Sequence, residues 1–157
     1  MQNVGGKKRI LAVASFGGHW IQLLRMMRPL EGVFDVSYVS THKNALAMVD
    51  SDKIYITPDF SRWNIWKILP SVLRDVFILM KSRPDTVLST GAAPGLLLLL
   101  IAKYVLRKKT VWIDSIANAH CLSFCGKMAA KVGIDYVYTQ WEHLSEKNVK
   151  FAGNVLG

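Results

Sequence analysis

Three short stretches carry residues whose types and spacing suit chemistry. Ala14–Trp20 reads ASFGGHW, and places two glycines and an imidazole, Gly17, Gly18 and His19, directly behind an apolar run. Ser89–Gly95 reads STGAAPG, with Thr90 and Gly91 in a second glycine turn. Thr110–Ser115 reads TVWIDS, and ends an apolar run on the carboxylate of Asp114. A histidine or a carboxylate at such a point can take a proton from a hydroxyl or hold an anion or a sugar. The glycines let the backbone turn sharply and bring bare N–H groups close to a ligand. Where a helix follows, its free N–H groups and positive dipole end suit a phosphate. Neither glycine loop has the Gly-Lys-Ser/Thr of a P-loop, and FGGHW lacks the dinucleotide fingerprint.

The elements that must position these residues alternate along the chain. Strands are expected at RILAVAS, FDVSYVS, KIYIT, DTVLST, TVWIDS and DYVYTQ. Helices are expected at HWIQLLRMMRPL, THKNALAMVD with Thr41 as its N-cap, NIWKILPSVLRDVFILMKS, PGLLLLLIAKYVLRK and CGKMAAKV. Pro70 either kinks the third of these or marks its first turn, and Pro94 stands near the start of the fourth. Strands alternating with helices of this length imply βαβ units, and apolar runs without polar alternation imply strands covered on both faces. The fold class is therefore α/β: one Rossmann-like, doubly wound parallel sheet, with residues 1–157 as a single domain. Ligands of such folds bind at the carboxyl ends of the strands, where the candidate residues lie. The Asp50–Asp52 stretch DSD falls before KIYIT, at the opposite end, and reads as a turn rather than a metal site.

Composition narrows the partners. The chain has 157 residues, of which 51% are hydrophobic, so a sizeable core is within reach and disorder is excluded. Lys and Arg number 20 against 11 Asp and Glu, a net charge of +9, which points to an anionic partner. The basic residues cluster at helix ends rather than among exposed aromatics, so nucleic acid is not expected. His120, Cys121 and Cys125 lack a fourth ligand, and the cysteines read as small packing positions; no metal and no cofactor are called for. The opening MQNVGGKKRIL has no long apolar leader, and the run from Leu96 to Ala102 is too short to span a bilayer. In NIWKILPSVLRDVFILMK, Ile65, Ile68, Leu69, Val72, Val76, Leu79 and Met80 are assigned to one helical face. Lys67, Arg74 and Lys81 share another, with Trp63 and Trp66 near the helix start. This pattern suits peripheral contact with an anionic membrane surface, at the cytoplasmic side.

ASFGGHW, STGAAPG, IDSIANAHCLSFCGK, YTQWEHL and the closing FAGNVLG, taken in order, resemble one family over nearly the whole chain. They look like the small bacterial exopolysaccharide and capsule glycosyltransferase subunits. These are similar to the membrane-anchoring subunit of the eukaryotic two-subunit N-acetylglucosaminyltransferase acting on dolichol-linked sugar. The first glycine loop also resembles that of the peptidoglycan enzyme making lipid II. The resemblance implies the N-terminal, acceptor-side half of a GT-B glycosyltransferase, paired in a heterodimer with a separate donor-binding chain. It implies inverting transfer from a UDP-sugar to a polyprenyl-diphosphate-linked sugar at the inner membrane, with His19 or Asp114 as the base. Gly17, Gly18, Thr90, Gly91, Ser115 and Asn118 would face the acceptor's phosphates, and Gln140 and Trp141 would form a rim or meet the partner. The family's Glu-Ser-x-x-Arg is here Asp114, Ser115 and Asn118, so a bidentate phosphate contact is missing. Two other readings compete: a non-catalytic anchor that recruits the catalytic chain, and a self-sufficient nucleotide-binding α/β enzyme.

Overall fold

The computed structural model describes residues 6–61 and 63–157, so Met1–Gly5 of the basic N-terminal segment fall outside it. Its strands are β1 (Arg9–Ala14), β2 (Asp35–Ser40), β3 (Ile54–Ile56), β4 (Thr86–Gly91), β5 (Lys109–Ile113), β6 (Tyr136–Thr139) and β7 (Lys150–Phe151). All pair in parallel in one sheet of order β3-β2-β1-β4-β5-β6-β7. The helices are α1 (Gly18–Met27), α2 (Ile68–Ser82), α3 (Ala93–Tyr104) and α4 (Phe124–Lys131). The expected α/β class holds.

Alternation along β1 divides the core. Leu11 and Val13 join a cluster with Ile78 and Leu79 of α2, Leu98 and Leu99 of α3, and Ala129 of α4. Ala12 and Ala14 point the other way, to Trp20, Leu23, Leu24 and Met27 of α1. Small side chains on that face of β1 leave room for the wholly buried Trp20, whose ring meets Tyr38 edge-on at 5.8 Å. Burial of an aromatic of this size contributes about 3 kcal/mol.

Three local expectations need correction. Residues 41–50 form no α-helix, only a 3-10 turn at Lys43–Ala47 that buries Ala45 alone. His42 caps it by accepting from Asn44 N–H, while Thr41 Oγ1 accepts from Phe16 N–H at 3.1 Å. Strand β7 has no strand-like run of its own; it pairs with β6 through Lys150 and Phe151. Cys125 does pack against the core, but Cys121 is exposed. Pro70 lies in the first turn of α2, and Asp50 leads into a 3-10 turn, Ser51–Lys53, that enters β3.

The topology places the site. From β1 the chain winds outward through β2 to β3, then returns by α2 to lay β4 against the other side of β1. The order reverses between β1 and β4, and the crevice outside their carboxyl ends is where such sheets bind ligands.

Candidate functional site

His19 stands in the first turn of α1, at that crevice. Gly17 before it has φ +120°, a conformation that side chains resist, and no atom lies within 4 Å of where its Cβ would be. Gly18 has an ordinary φ and equally open space, so only Gly17 is required by the backbone. Neither Gly17 at α1 nor Ala92 at α3 supplies a side-chain cap, so both helix N-termini leave N–H groups uncapped beside the crevice.

The imidazole lies across Gly91. A Cβ there would come within 2.7 Å of His19 Nδ1, and Gly91 has φ +128°. Glycine is needed twice over, for the conformation and for the ring. Ser15 N–H donates to Gly91 O at 2.9 Å, and Thr90 Oγ1 donates to His19 O at 2.8 Å, which ties the β1 and β4 ends together. Nδ1 is buried without a partner among the described residues, whereas Nε2 is not enclosed. Burial pushes the imidazole below its ordinary pKa of 6.5, against the opposing field of Asp114 and the Thr90 contact. A neutral imidazole with one open nitrogen can accept a proton.

Asp114 has a different setting. It is 2% exposed. Oδ1 accepts from Trp112 Nε1 at 3.3 Å and from Ser123 Oγ. Oδ2 accepts from Ser123 N–H at 2.8 Å and Asn118 Nδ2 at 3.3 Å. Its carbonyl accepts from Gln22 Nε2 at 3.3 Å and Gln140 Nε2 at 2.9 Å. A Cβ on Gly126 would lie 2.8 Å from Oδ1, so α4 closes over the carboxylate. Four donors and near-complete burial hold the loop between β5 and α4 in shape, and leave no oxygen presented to a substrate.

Several expected phosphate contacts are committed in the same way. Thr90 is wholly buried on the His19 carbonyl, and Gly91 N–H donates to Ser89 Oγ at 3.1 Å. The Asn118 amide faces Asp114, and Ser115 Oγ accepts from Ala117 N–H at 3.3 Å within the turn. Gln140 is no rim residue: it is 2% exposed and clamps Asp114 to Val155 N–H, at 3.0 Å from its Oε1. Trp141 is half-buried, its Nε1 donating to Ile116 O at 2.8 Å. Sequence reasoning missed Gln22 and Ser123. Gln22 donates to Asp114 O and accepts from Ile116 N–H, and its signal was a lone amide inside the apolar WIQLL. Ser123 also caps α4.

Helix α2 needs a further correction. The seven apolar residues assigned to one face are divided. Leu79 is buried and Val72 and Val76 pack on the core, but Leu69 and Met80 are 68% and 63% exposed. With Trp66, Leu73 and Phe77 they form an outward stripe at 3–4-residue spacing, opposite the core-facing side. Lys67, Arg74 and Lys81 flank it; Arg74 lies 5.5 Å from the Phe77 ring centroid and Lys81 5.6 Å from that of Tyr55. Trp63, before the helix, is 77% exposed. No helix among the described residues is long and apolar enough to cross a membrane.

The family model described as oligosaccharide biosynthesis protein Alg14 like matches residues 61–155. The chain belongs to this Alg14-like family. Among solved structures it is similar to Acinetobacter baumannii MurG, with TM-score 0.76 and 16% identity over 94% of this chain and 46% of MurG. It is also similar to the Methanocaldococcus jannaschii UDP-GlcNAc 2-epimerase, with TM-score 0.64 and 16% identity over 93% of this chain and 45% of that one. The calicheamicin glycosyltransferase CalG4 gives TM-score 0.59 and 11% identity, over 96% and 53%. The chain thus spans about half the length of these structures, and has the fold of the N-terminal half of a GT-B glycosyltransferase. No curated protein matches it. Family and fold together make it a glycosyltransferase-related protein of oligosaccharide biosynthesis.

Proposed function

We propose that this Alg14-like chain is the acceptor-side subunit of a two-chain inverting glycosyltransferase in polysaccharide biosynthesis. It binds a polyprenyl-diphosphate-linked sugar at the cytoplasmic face of the inner membrane, and a donor-binding partner brings the UDP-sugar. The observation that carries the reading is His19: an uncharged imidazole with one open nitrogen, at the switch-point crevice of a GT-B half. In the reaction the acceptor hydroxyl oxygen bonds to the anomeric carbon from the face opposite UDP. The bond to UDP breaks with its electron pair leaving on the phosphate. The hydroxyl proton passes to His19 Nε2. Asp114 acts through position, holding the β5–α4 loop and adding a field that favours the imidazolium. The stripe of α2 with its flanking cations holds the chain peripherally on an anionic membrane.

One set of contacts favours a second reading, the non-catalytic anchor. Thr90, Gly91, Asn118 and Asp114 are all spent on the fold, so His19 stands nearly alone. The test is a tagged pull-down from membranes of the native host, followed by transfer from a UDP-sugar to a polyprenyl-linked acceptor by the recovered pair. A near-stoichiometric second chain with activity that His19→Ala removes supports the acceptor-side subunit. Activity indifferent to His19→Ala leaves the anchor, and recovery of the chain alone from the membrane sinks the two-chain reading.

A further inference from the structure

An open groove of about 850 Å³ lies at the carboxyl ends of β2 and β3, lined among others by Thr41, His42, Lys43, Thr57, Pro70 and Arg74. It borders the His19 loop on one side, where Phe16 N–H donates to Thr41 Oγ1 and the Phe16 ring lies 5.3 Å from that of His42. It borders the apolar stripe on the other, because Arg74 and Pro70 belong to α2 and the Arg74 guanidinium lies over Phe77. Arg74 Nε donates to the Ile56 carbonyl at 3.0 Å, which fixes the guanidinium plane. Its terminal nitrogens have no hydrogen-bond partner among the described residues. Lys43 is exposed and joins no ion pair among the described residues. Two carboxylates belong to this part of the fold: the exposed Asp59, which follows Pro58 of the lining, and Asp75, wholly buried behind Thr57, whose Oγ1 donates to it at 2.7 Å. Burial pushes Asp75 up to about 7, so at neutral pH it carries only part of a charge against an anion in the groove.

We propose that this groove seats the diphosphate of a lipid-linked acceptor, with the sugar directed to His19 and the isoprenoid chain along the α2 stripe. The inference rests on the acceptor-side reading and deepens it. Arg74 supplies a planar fork and Lys43 a point charge, the two ways in which side chains grip phosphate oxygens. The order along the surface, imidazole, cations, apolar stripe, repeats the order along such an acceptor: sugar hydroxyl, diphosphate, hydrocarbon.

The test is co-sedimentation of the full chain with three vesicle types. These are phosphatidylcholine alone, phosphatidylcholine doped with undecaprenyl diphosphate, and phosphatidylcholine doped with phosphatidylglycerol to the same charge. The wild type should bind the diphosphate vesicles about tenfold more tightly than the phosphatidylglycerol ones, as one pair of charge-assisted contacts allows. The Lys43→Gln/Arg74→Gln variant should lose that difference, whereas Lys67→Gln/Lys81→Gln, which removes α2 cations outside the groove lining, should weaken binding to both anionic vesicles and keep the difference. Arg74→Lys, which keeps the charge and loses the fork, should lose part of it. Equal binding to both anionic vesicles by the wild type overturns the proposal, and so does a difference that survives in the Lys43→Gln/Arg74→Gln variant. The assay needs neither partner nor transfer, so it stands apart from the two-chain reading. In an active pair, an acceptor KM unmoved by Lys43→Gln/Arg74→Gln would sink the groove and leave that reading intact.

Discussion

The loop from β1 into α1 and the loop from β5 into α4 both follow strand ends, and each offers one titratable side chain. They differ in how their hydrogen bonds close. Around Asp114 the accounting is complete: four donors on the carboxylate, two glutamine amides on the carbonyl, and α4 in contact through Gly126. Around His19 it is incomplete: Nδ1 is buried with no partner among the described residues, Gly17 and Gly18 face open space, and the α1 N-terminus has no side-chain cap. A buried polar group left unpaired costs about 1–3 kcal/mol, and Trp20 Nε1, Ser40 Oγ and Asp75 Oδ2 share that state with His19 Nδ1. What sets the two loops apart is that the Asp114 oxygens are saturated and enclosed, whereas His19 keeps Nε2 open at the crevice.

The sharpest way to break this comparison is to remove each group. His19→Ala should lower transfer by the reconstituted pair by roughly 10²–10⁴-fold, the usual worth of a general base, with an unchanged melting temperature. Asp114→Ala should do the opposite in kind. It strands Trp112 Nε1 and Ser123 in a buried site and should cost about 3 kcal/mol of stability, seen as a fall in the denaturant midpoint. A stable Asp114→Ala protein that has lost all transfer would reverse the two assignments.

A smaller change tests the packing that presents the imidazole. Gly91→Ala meets the His19 ring at 2.7 Å in a backbone conformation of φ +128°. It should cost about 2 kcal/mol and displace the ring, lowering transfer while the loop around Asp114 stays closed. Gly18→Ala meets open space at an ordinary φ and should leave stability within about 0.5 kcal/mol. Equal losses for the two glycines would mean that the ring does not depend on Gly91.

The layout of strands and helices was legible because it follows from apolar period and glycine punctuation. ILAVA and VWI are continuous apolar runs, and both lie in central strands. The crevice was legible too, since parallel strands put FGGH and STG at one end of the sheet. What stayed hidden was which polar groups satisfy one another. Asn118 reads as a phosphate ligand by its place in a motif, yet its amide turns back four residues to Asp114. Gln140 reads as a rim or partner-contact residue beside Trp141, yet it bridges residues 26 and 15 positions away. Such pairings are set by tertiary distance and leave no period in the chain. The α2 stripe was misread because the seven residues assigned to one face mix core-facing positions such as Leu79 with outward ones such as Leu69 and Met80.

The finest test couples the two loops through the proton. Burial holds the His19 imidazole below its ordinary 6.5, and the negative field of Asp114 opposes that shift. A base must be unprotonated to act, so the acid limb of kcat/KM should lie below pH 6.5, with activity retained where a solvent-exposed histidine would already be charged. Asp114→Asn removes the field that favours the imidazolium, and it also turns an NH2 toward donors that one carboxylate oxygen accepted, so its pH profile is read on the folded protein after a check of the denaturant midpoint. The limb should therefore move further down in that variant, while the maximal rate above it changes little. A limb above pH 6.5, or one that rises in Asp114→Asn, would show that another group titrates, and the contrast between a closed loop and an open one would lose its chemical meaning. A downward shift would show the carboxylate acting on the reaction through its charge alone, without touching the substrate.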